Sequence, residues 1–218
     1  MSTISIPNFT HKESEAIAEK LLGEYGFIEK GILPIDIELL ANKRKCYVSV
    51  IPGVYRNRGV KGIAWKNTSN GRFEILIDED HYTNDDKSYR FTIAEELAHS
   101  ILHSSFFENI STIEQRILFE KNLDEEDHRR FEMQAKRFAN HLLLPTSLFL
   151  PKIEEWMKQN SKIIDKFYYK SSGLLILEVA NKTELLFDSS VFIIKRALSR
   201  FMEKDFTIGD YLLKKYKP

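Results

Sequence analysis

The chain has 218 residues, with 32 Lys and Arg against 32 Asp and Glu, so its formal net charge is zero. This balance argues against an extensive basic surface for nucleic acid, and no apolar run approaches the ~18 residues that a membrane-spanning helix needs. Cysteine occurs once, so no disulfide can form within the chain and a reducing cytoplasm is the expected compartment.

The first part of the chain is predicted to form helices and a small sheet. Thr10 and Glu13 have the spacing of a capping box, which predicts a helix that runs to Tyr25. A proline in the first turn predicts a second helix over residues 34–41. Alternating β-branched segments predict strands at residues 46–51, 60–65 and 72–78. An Asn-Gly turn joins the last two strands, so we expect a hairpin within a small antiparallel sheet.

The central helix is predicted at residues 90–103, after a polar loop at 80–88 in which Asp86 or Ser88 provides the N-cap. One side of this helix is apolar and consists of Ile93, Ala94, Leu97, Ala98, Ile101 and Leu102. The opposite side carries residue types that bind metals and transfer protons, namely Glu95, Glu96, His99 and His103. The alternative interpretation is an ordinary solvated helix face.

A second strong helix is predicted at residues 125–143, capped by Asp124 and ended by Pro145, after a loop and a short helix at 105–122. Its core side consists of Phe131, Ala135, Phe138, Ala139 and Leu142. Glu132 borders this side and can therefore face the central helix. The alternative is a solvated Glu132 within a run of charged residues.

The C-terminal part is predicted to be mixed in secondary structure. Pro151 begins a helix, residues 174–179 form a strand or a buried helix segment, and residues 191–202 form a helix. We therefore divide the chain into a domain at residues 1–150 and a C-terminal helical and mixed region at 151–218 packed on it. The predicted fold class is α+β and mostly helical.

Two segments resemble the motifs of a known family. Residues 90–103 read R-F-T-I-A-E-E-L-A-H-S-I-L-H and resemble the R-F-T-(L/I)-A-H-E-(L/I)-(A/G)-H-x-x-x-H helix of the ImmA/IrrE metallopeptidases, formerly DUF955. Residues 131–145 read F-E-M-Q-A-K-R-F-A-N-H-L-L-L-P and resemble the family's E-x-x-A-N-x-F-A-A-x-L-L-M-P helix. Residues 188–198 resemble a weaker tail motif of the same family, F-x-V-S-x-x-x-x-x-R-L.

The resemblance implies a zincin-like, gluzincin-type fold and a zinc-dependent endopeptidase. By position in the motifs, Glu96 would be the general base, and His99 and Glu132 would be zinc ligands. The chain departs from the family at the first ligand, where Glu95 replaces a histidine. A lesser departure is Lys136, at a position where the family often has Asn or Asp.

Three arrangements of the site remain open at this point. In the first, Glu95, His99 and Glu132 hold zinc, or a harder ion such as Mn²⁺, because two carboxylates make the metal less effective in acidifying water. In the second, His99 and His103 are the helical pair of ligands with Glu132, and hydrolysis is slow. In the third, no metal binds, and the carboxylates pair with imidazoles or with basic side chains.

Two main functions follow from these arrangements. The first is a metallopeptidase that cleaves a helix-turn-helix repressor in a stress or mobile-element response, with Glu96 activating the attacking water. The alternative is a catalytically impaired pseudo-peptidase that binds or regulates a partner protein without cleaving it. Direct DNA binding by the basic residues of the 191–202 helix is disfavoured, and no membrane partner is expected.

Overall fold

The computed structural model describes residues 5–162 and 172–202. The α-helices are α1 (His11–Glu24), α2 (Phe27–Lys30), α3 (Ile37–Lys43), α4 (Val54–Arg58), α5 (Glu79–Asn84), α6 (Asp86–Leu102), α7 (Ile113–Lys121), α8 (Glu125–Leu143), α9 (Thr146–Gln159), α10 (Ser172–Phe187) and α11 (Val191–Met202). A 3₁₀ helix covers Ser104–Asn109, and the strands are β1 (Cys46–Ile51), β2 (Gly62–Asn67) and β3 (Arg72–Asp78). The predicted α+β, mostly helical class is confirmed.

Polar side chains fix where several of the helices begin. The capping box of α1 is confirmed, because Thr10 and Glu13 each accept a hydrogen bond from the other's backbone N–H. Asp124 caps α8 as predicted. The N-cap prediction for the central helix, Asp86 or Ser88, is wrong. The cap is Asp85, one residue before Asp86, and its carboxylate accepts from the backbone N–H of Ser88.

The three strands form one mixed sheet in the order β1-β3-β2. The predicted hairpin is confirmed, because β2 pairs antiparallel with β3. The prediction of a purely antiparallel sheet is wrong, since β1 pairs parallel with β3 from Cys46↔Phe73 to Ile51↔Asp78. A parallel pair needs a crossover connection, and here α4 and β2 lie between β1 and β3 in the chain.

Several predicted boundaries moved because local capping outweighed the periodic pattern. Helix α3 begins at Ile37 and not at the predicted residue 34, since Asp36 accepts from the backbone N–H of Leu39. Most of the predicted 80–88 loop is the helix α5. Pro151 lies inside α9 instead of opening it.

The described residues of the C-terminal segment, 172–202, agree with the helical alternatives of the prediction. Residues 174–179 belong to the helix α10, which decides between the two predicted alternatives. Helix α11 confirms the prediction for residues 191–202. The proposed domain boundary at residue 150 falls inside α9, and the division into two regions remains a prediction. Within residues 5–162 and 172–202, no helix has the length and apolar character that a membrane crossing requires.

The largest core cluster joins α6 and α8 to the sheet and to the C-terminal helices. Helix α6 contributes the fully buried Ala94 and Ala98, and α8 contributes the fully buried Ala135 and Ala139. Small side chains let two helix backbones approach closely, so α6 and α8 pack along each other. This contact brings the polar side of α6 against α8.

Gly62 lets β2 approach α6 beside the polar residues. A Cβ atom at this position would overlap Thr92 Cγ2 and would lie 3.1 Å from Ile77 Cδ1 and 3.4 Å from Glu96 Cγ. Thr92 is β-branched and held in a helix, so it has little freedom to move away. A side chain at this position would therefore force the strand away from the helix.

We expect Gly62→Ala to lower the free energy of unfolding by about 1–3 kcal/mol, because it overpacks the contact between β2 and α6. Urea denaturation followed by circular dichroism measures the effect. The matched control is Gly173→Ala in α10, where an added Cβ meets nothing within 4 Å and should leave stability equal or slightly higher. Equal stability of the two variants would contradict this packing.

Candidate active site

Helices α6 and α8 bring together the side chains that the sequence singled out. The shortest contact between His99 and Glu132 joins Nε2 to Oε1 at 3.5 Å. His99 is 1% exposed and the side chain of Glu132 is 26% exposed, so this contact lies at the edge of the core. Glu132 therefore faces the central helix, which is the orientation expected from the sequence. His99 and Glu132 come from distant parts of the sequence.

Lys136 lies between the two carboxylates of the site. Its Nζ is 3.1 Å from Glu132 Oε2, one turn earlier on α8, and 3.4 Å from Glu95 Oε1 across the helix contact on α6. Glu95 is mostly buried, with 14% of its side chain exposed. The ammonium group thus contacts both acidic side chains that would serve as metal ligands.

A chain of hydrogen bonds orients His99. Gln134 donates from Nε2 to the carbonyl oxygen of Pro7 at 2.6 Å, so its Oε1 faces His103. His103 Nε2 lies 3.1 Å from that oxygen, and its Nδ1 lies 3.0 Å from His99 Nδ1. For neutral rings this network assigns the proton to Nε2 of His103 and to Nδ1 of His99. The lone pair on His99 Nε2 then points towards Glu132.

Aromatic packing holds both imidazoles in place. The ring of Phe131 lies 4.2 Å, centroid to centroid, from each of His99 and His103. Arg116 packs on the rings of Phe131 and Phe107. Its guanidinium carbon lies 4.9 Å from the centroid of Phe131 and 5.1 Å from that of Phe107. Arg116 also forms an ion pair with Glu120 on α7.

Burial keeps several of these groups in uncharged forms. Desolvation lowers the pKa of His99, against the influence of Glu132, and it lowers the pKa of His103 to about 3 with the help of His99. Desolvation raises the pKa of Glu96 well above its ordinary value, although Arg116 acts in the opposite direction. Burial therefore favours the neutral imidazole in both histidines and the protonated carboxyl in Glu96.

The pKa values of Glu95, Glu132 and Lys136 depend on one another. Desolvation followed by the charge of Glu132 raises the pKa of Glu95 to about 7, in spite of Lys136. Burial would raise the pKa of Glu132, but the contact with His99 and the charge of Lys136 outweigh it and lower that pKa. The two carboxylates together raise the pKa of Lys136 against the effect of its burial, so it remains an ammonium ion.

Glu96 is placed differently from its neighbours. It is 7% exposed, and its Oε2 has no hydrogen-bond partner among the described residues. A general base must carry a negative charge and reach the proton that it accepts. In this arrangement Glu96 is enclosed between α6 and β2, and burial favours its protonated form over the carboxylate that a general base needs.

The donor set does not fit a metal ion as it stands. Zinc takes four donors in a tetrahedron, of which a catalytic site supplies three from the protein. Among residues 5–162 and 172–202, no three His, Cys, Asp or Glu side chains are grouped so that they could hold a metal ion. Glu95 and Glu132 are instead both in contact with Lys136, and both ring nitrogens of His103 are engaged by His99 and Gln134.

Three contributors to this site were not recognised in the sequence. Gln134 and Arg116 carry no pattern that would have marked them, because their partners come from Pro7 and from an aromatic cluster. Lys136 was noted only as a departure from the family pattern. Its spacing of four residues from Glu132 is the usual spacing of a helical ion pair and could have indicated the contact.

Comparison with known proteins identifies a family for the middle of the chain. Residues 66–169 match the family Peptidase_M78, described as the IrrE N-terminal-like domain. This segment contains α6, α8 and every side chain described in the site, while the carbonyl oxygen of Pro7 and the backbone at Gly62 lie outside it. No curated protein matches the chain.

We expect Glu95→Gln to make the protein relatively more stable as the pH rises. A carboxyl whose pKa is raised by folding stabilises the folded state below its unfolded pKa of ~4.3, and this contribution is lost as the pH rises through about 7. The variant lacks this loss, so its stability relative to the wild type should increase by roughly 1–3 kcal/mol between pH 5 and pH 8.

Urea denaturation at the two pH values measures this difference. The control is Glu24→Gln on α1, which removes one negative charge from an exposed ion pair with Lys20. The Glu24 variant should track the wild type at both pH values. A difference between wild type and Glu95→Gln that stays constant with pH would show that Glu95 is solvated.

Proposed function

We propose that this chain, which belongs to the Peptidase_M78 family through residues 66–169, binds a partner protein without hydrolysing it. The observation that supports this most directly is the contact of Lys136 with both Glu95 and Glu132. A metallopeptidase uses those positions to hold the ion that activates water. Here both acidic groups are already in contact with an ammonium group of the protein.

Glu96 and the imidazoles support the same proposal. Peptide hydrolysis needs an ionised base next to the attacking water. The Glu96 carboxyl is enclosed, and burial raises its pKa well above the ordinary value, which favours the protonated form. His103 contacts Gln134 and His99, so it orients its neighbour and is not turned towards a substrate.

We propose that a protein partner docks at strand β2, beside this site. Strand β2 lies at the edge of the sheet, and its Gly62 contacts α6 at Thr92 and Glu96. An edge strand can add an extended segment of another protein by main-chain hydrogen bonds. We propose a helix-turn-helix repressor as this partner, on the resemblance of the two motif helices to the ImmA/IrrE metallopeptidases.

Two further proposals concern the cellular compartment of the protein and direct DNA binding. We propose that the protein is cytoplasmic, which its single cysteine supports because no disulfide can form within the chain. We do not assign direct DNA binding to α11. Its Arg200 lies 2.9 Å from a ring nitrogen of His141 and is half-buried, so it is directed towards α8 and not towards solvent.

The second candidate is the metallopeptidase itself, with zinc or Mn²⁺ as the ion. It is favoured by one observation, which is that Glu96, His99 and Glu132 keep the spacing of the family's motifs and meet at one place. In that case Lys136 would have to leave the two carboxylates before an ion could enter. The two candidates therefore differ in whether the wild-type protein cleaves.

We expect the purified full chain to bind a helix-turn-helix repressor from the same genome and to leave it intact. Binding is measured by size-exclusion chromatography, and cleavage by gel electrophoresis, with Zn²⁺, Mn²⁺ or EDTA added. Labelled casein serves as a second, unspecific substrate. Glu96→Gln is the matched variant, because it keeps the shape of the side chain and removes its acid.

A non-hydrolytic protein predicts equal binding with the ions and with EDTA, and no cleavage by either the wild type or Glu96→Gln. Metal-dependent cleavage that disappears in Glu96→Gln would overturn the proposal and establish the peptidase. Absence of binding to the repressor would reject that partner.

A further inference from the structure

Two acidic side chains face each other at the α6–α8 contact with little access to water. The side chains of Glu95 and Glu132 are 14% and 26% exposed. Two buried carboxylates repel each other and are costly to keep unless a cation lies between them. In a metallopeptidase that cation is the metal ion, and the packing of the two helices would be unfavourable without it.

Lys136 provides a positive charge at this place from within the chain. Its Nζ contacts Glu132 at 3.1 Å along α8 and Glu95 at 3.4 Å across to α6. The side chain is 45% exposed, so its stem runs over the surface and its ammonium group reaches the acids. A tethered cation is present at high effective concentration and cannot be removed by dilution or by a chelator.

The two departures from the family pattern are thus in contact with each other. Glu95 stands where the family has a histidine ligand, and Lys136 stands where it often has Asn or Asp. A neutral histidine would need no ammonium beside it, and a lysine beside a metal ion would be repelled by it. Glu95 and Lys136 pair with each other across the two helices, and Lys136 also contacts Glu132.

The third donor keeps an orientation suited to a metal ligand. The bonds from Pro7 through Gln134 and His103 leave the Nε2 lone pair of His99 directed at Glu132. Histidine ligands of metals are oriented by a hydrogen bond to the other ring nitrogen in this way. Glu95, His99 and Glu132 thus offer two carboxylates and one imidazole, and the ammonium of Lys136 touches both carboxylates.

We propose that Lys136 is a built-in cation that replaces the metal ion of this site, and that its removal uncovers a latent site for a divalent cation at Glu95, His99 and Glu132. The inference rests on the proposed function in one respect, namely that the wild type works without a metal. Zn²⁺ and Mn²⁺ are the ions expected, since the donors are two carboxylates and one imidazole.

The experiment compares the metal affinity of the full chain and of Lys136→Met. Isothermal titration with Zn²⁺ and with Mn²⁺ should show binding to the variant that is at least about tenfold tighter than to the wild type, which corresponds to ~1.4 kcal/mol. The metal should also raise the Tm of the variant by ~5–10 °C at about 100 times Kd. The wild-type Tm should not respond.

Lys152→Met is the matched control. Lys152 is 43% exposed and pairs with Glu155 on its own helix at 2.7 Å. Lys136 likewise pairs with Glu132 on its own helix, at 3.1 Å. This control should respond to metal like the wild type. Lys136→Asn is a second test with the residue type found in the family, and it replaces Lys136→Met if that variant does not fold.

A double variant identifies the donors. Glu95→Gln combined with Lys136→Met removes one carboxylate of the latent site and should return the metal affinity to the wild-type value. The proposal is overturned if the wild type binds metal as tightly as Lys136→Met, or if the double variant binds as tightly as the single one. It is also overturned if neither Lys136 variant gains affinity.

These outcomes are separate from the test of the proposed function. If the wild type cleaves the repressor and Lys136→Met still binds metal more tightly, the non-hydrolytic function fails and the role of Lys136 stands. If the wild type is inert and the Lys136 variants gain no affinity, the role of Lys136 fails and the non-hydrolytic function stands.

Discussion

The close packing of α6 on α8 is the constraint on which the rest of the site depends. Buried alanines on both helices bring the backbones together, so the side of α6 opposite its apolar residues is also covered. Polar side chains that would be solvated on an isolated helix must then find partners in the core. Glu95, His99 and His103 find theirs on α8, at Lys136, Glu132 and Gln134 respectively.

The site has the framework of a metallopeptidase and a different distribution of charge. The motif spacing, the orienting hydrogen bonds of His99 and the position of Glu132 all belong to the framework. Replacing a neutral ligand by a carboxylate adds one negative charge, and the ammonium of Lys136 supplies one positive charge at the same place. The ammonium thus lies against both carboxylates, and burial raises the pKa of Glu96.

The sequence predicted what depends on periodicity and spacing. The helices α1, α6, α8 and α11, the hairpin of β2 and β3, and the meeting of His99 with Glu132 follow from residues at fixed intervals. The parallel pairing of β1 was missed because it depends on contacts distant in sequence, and the starts of α3 and α6 were missed because a single aspartate shifts a helix end. Gln134 and Arg116 could not be recognised, since each acts through partners that only the fold brings near. The sequence could not show whether Glu95 takes the place of the metal ligand, because that depends on where the ammonium group of Lys136 lies.

The central claim is that the ammonium of Lys136 occupies the place of a metal ion. A crystal structure of the wild-type protein grown with excess Zn²⁺, with anomalous diffraction recorded at the zinc edge, tests it most directly. The account predicts no anomalous peak between α6 and α8 and Lys136 Nζ within hydrogen-bond distance of both Glu95 and Glu132. An anomalous peak bound by Glu95, His99 and Glu132, with Lys136 turned to solvent, would contradict it.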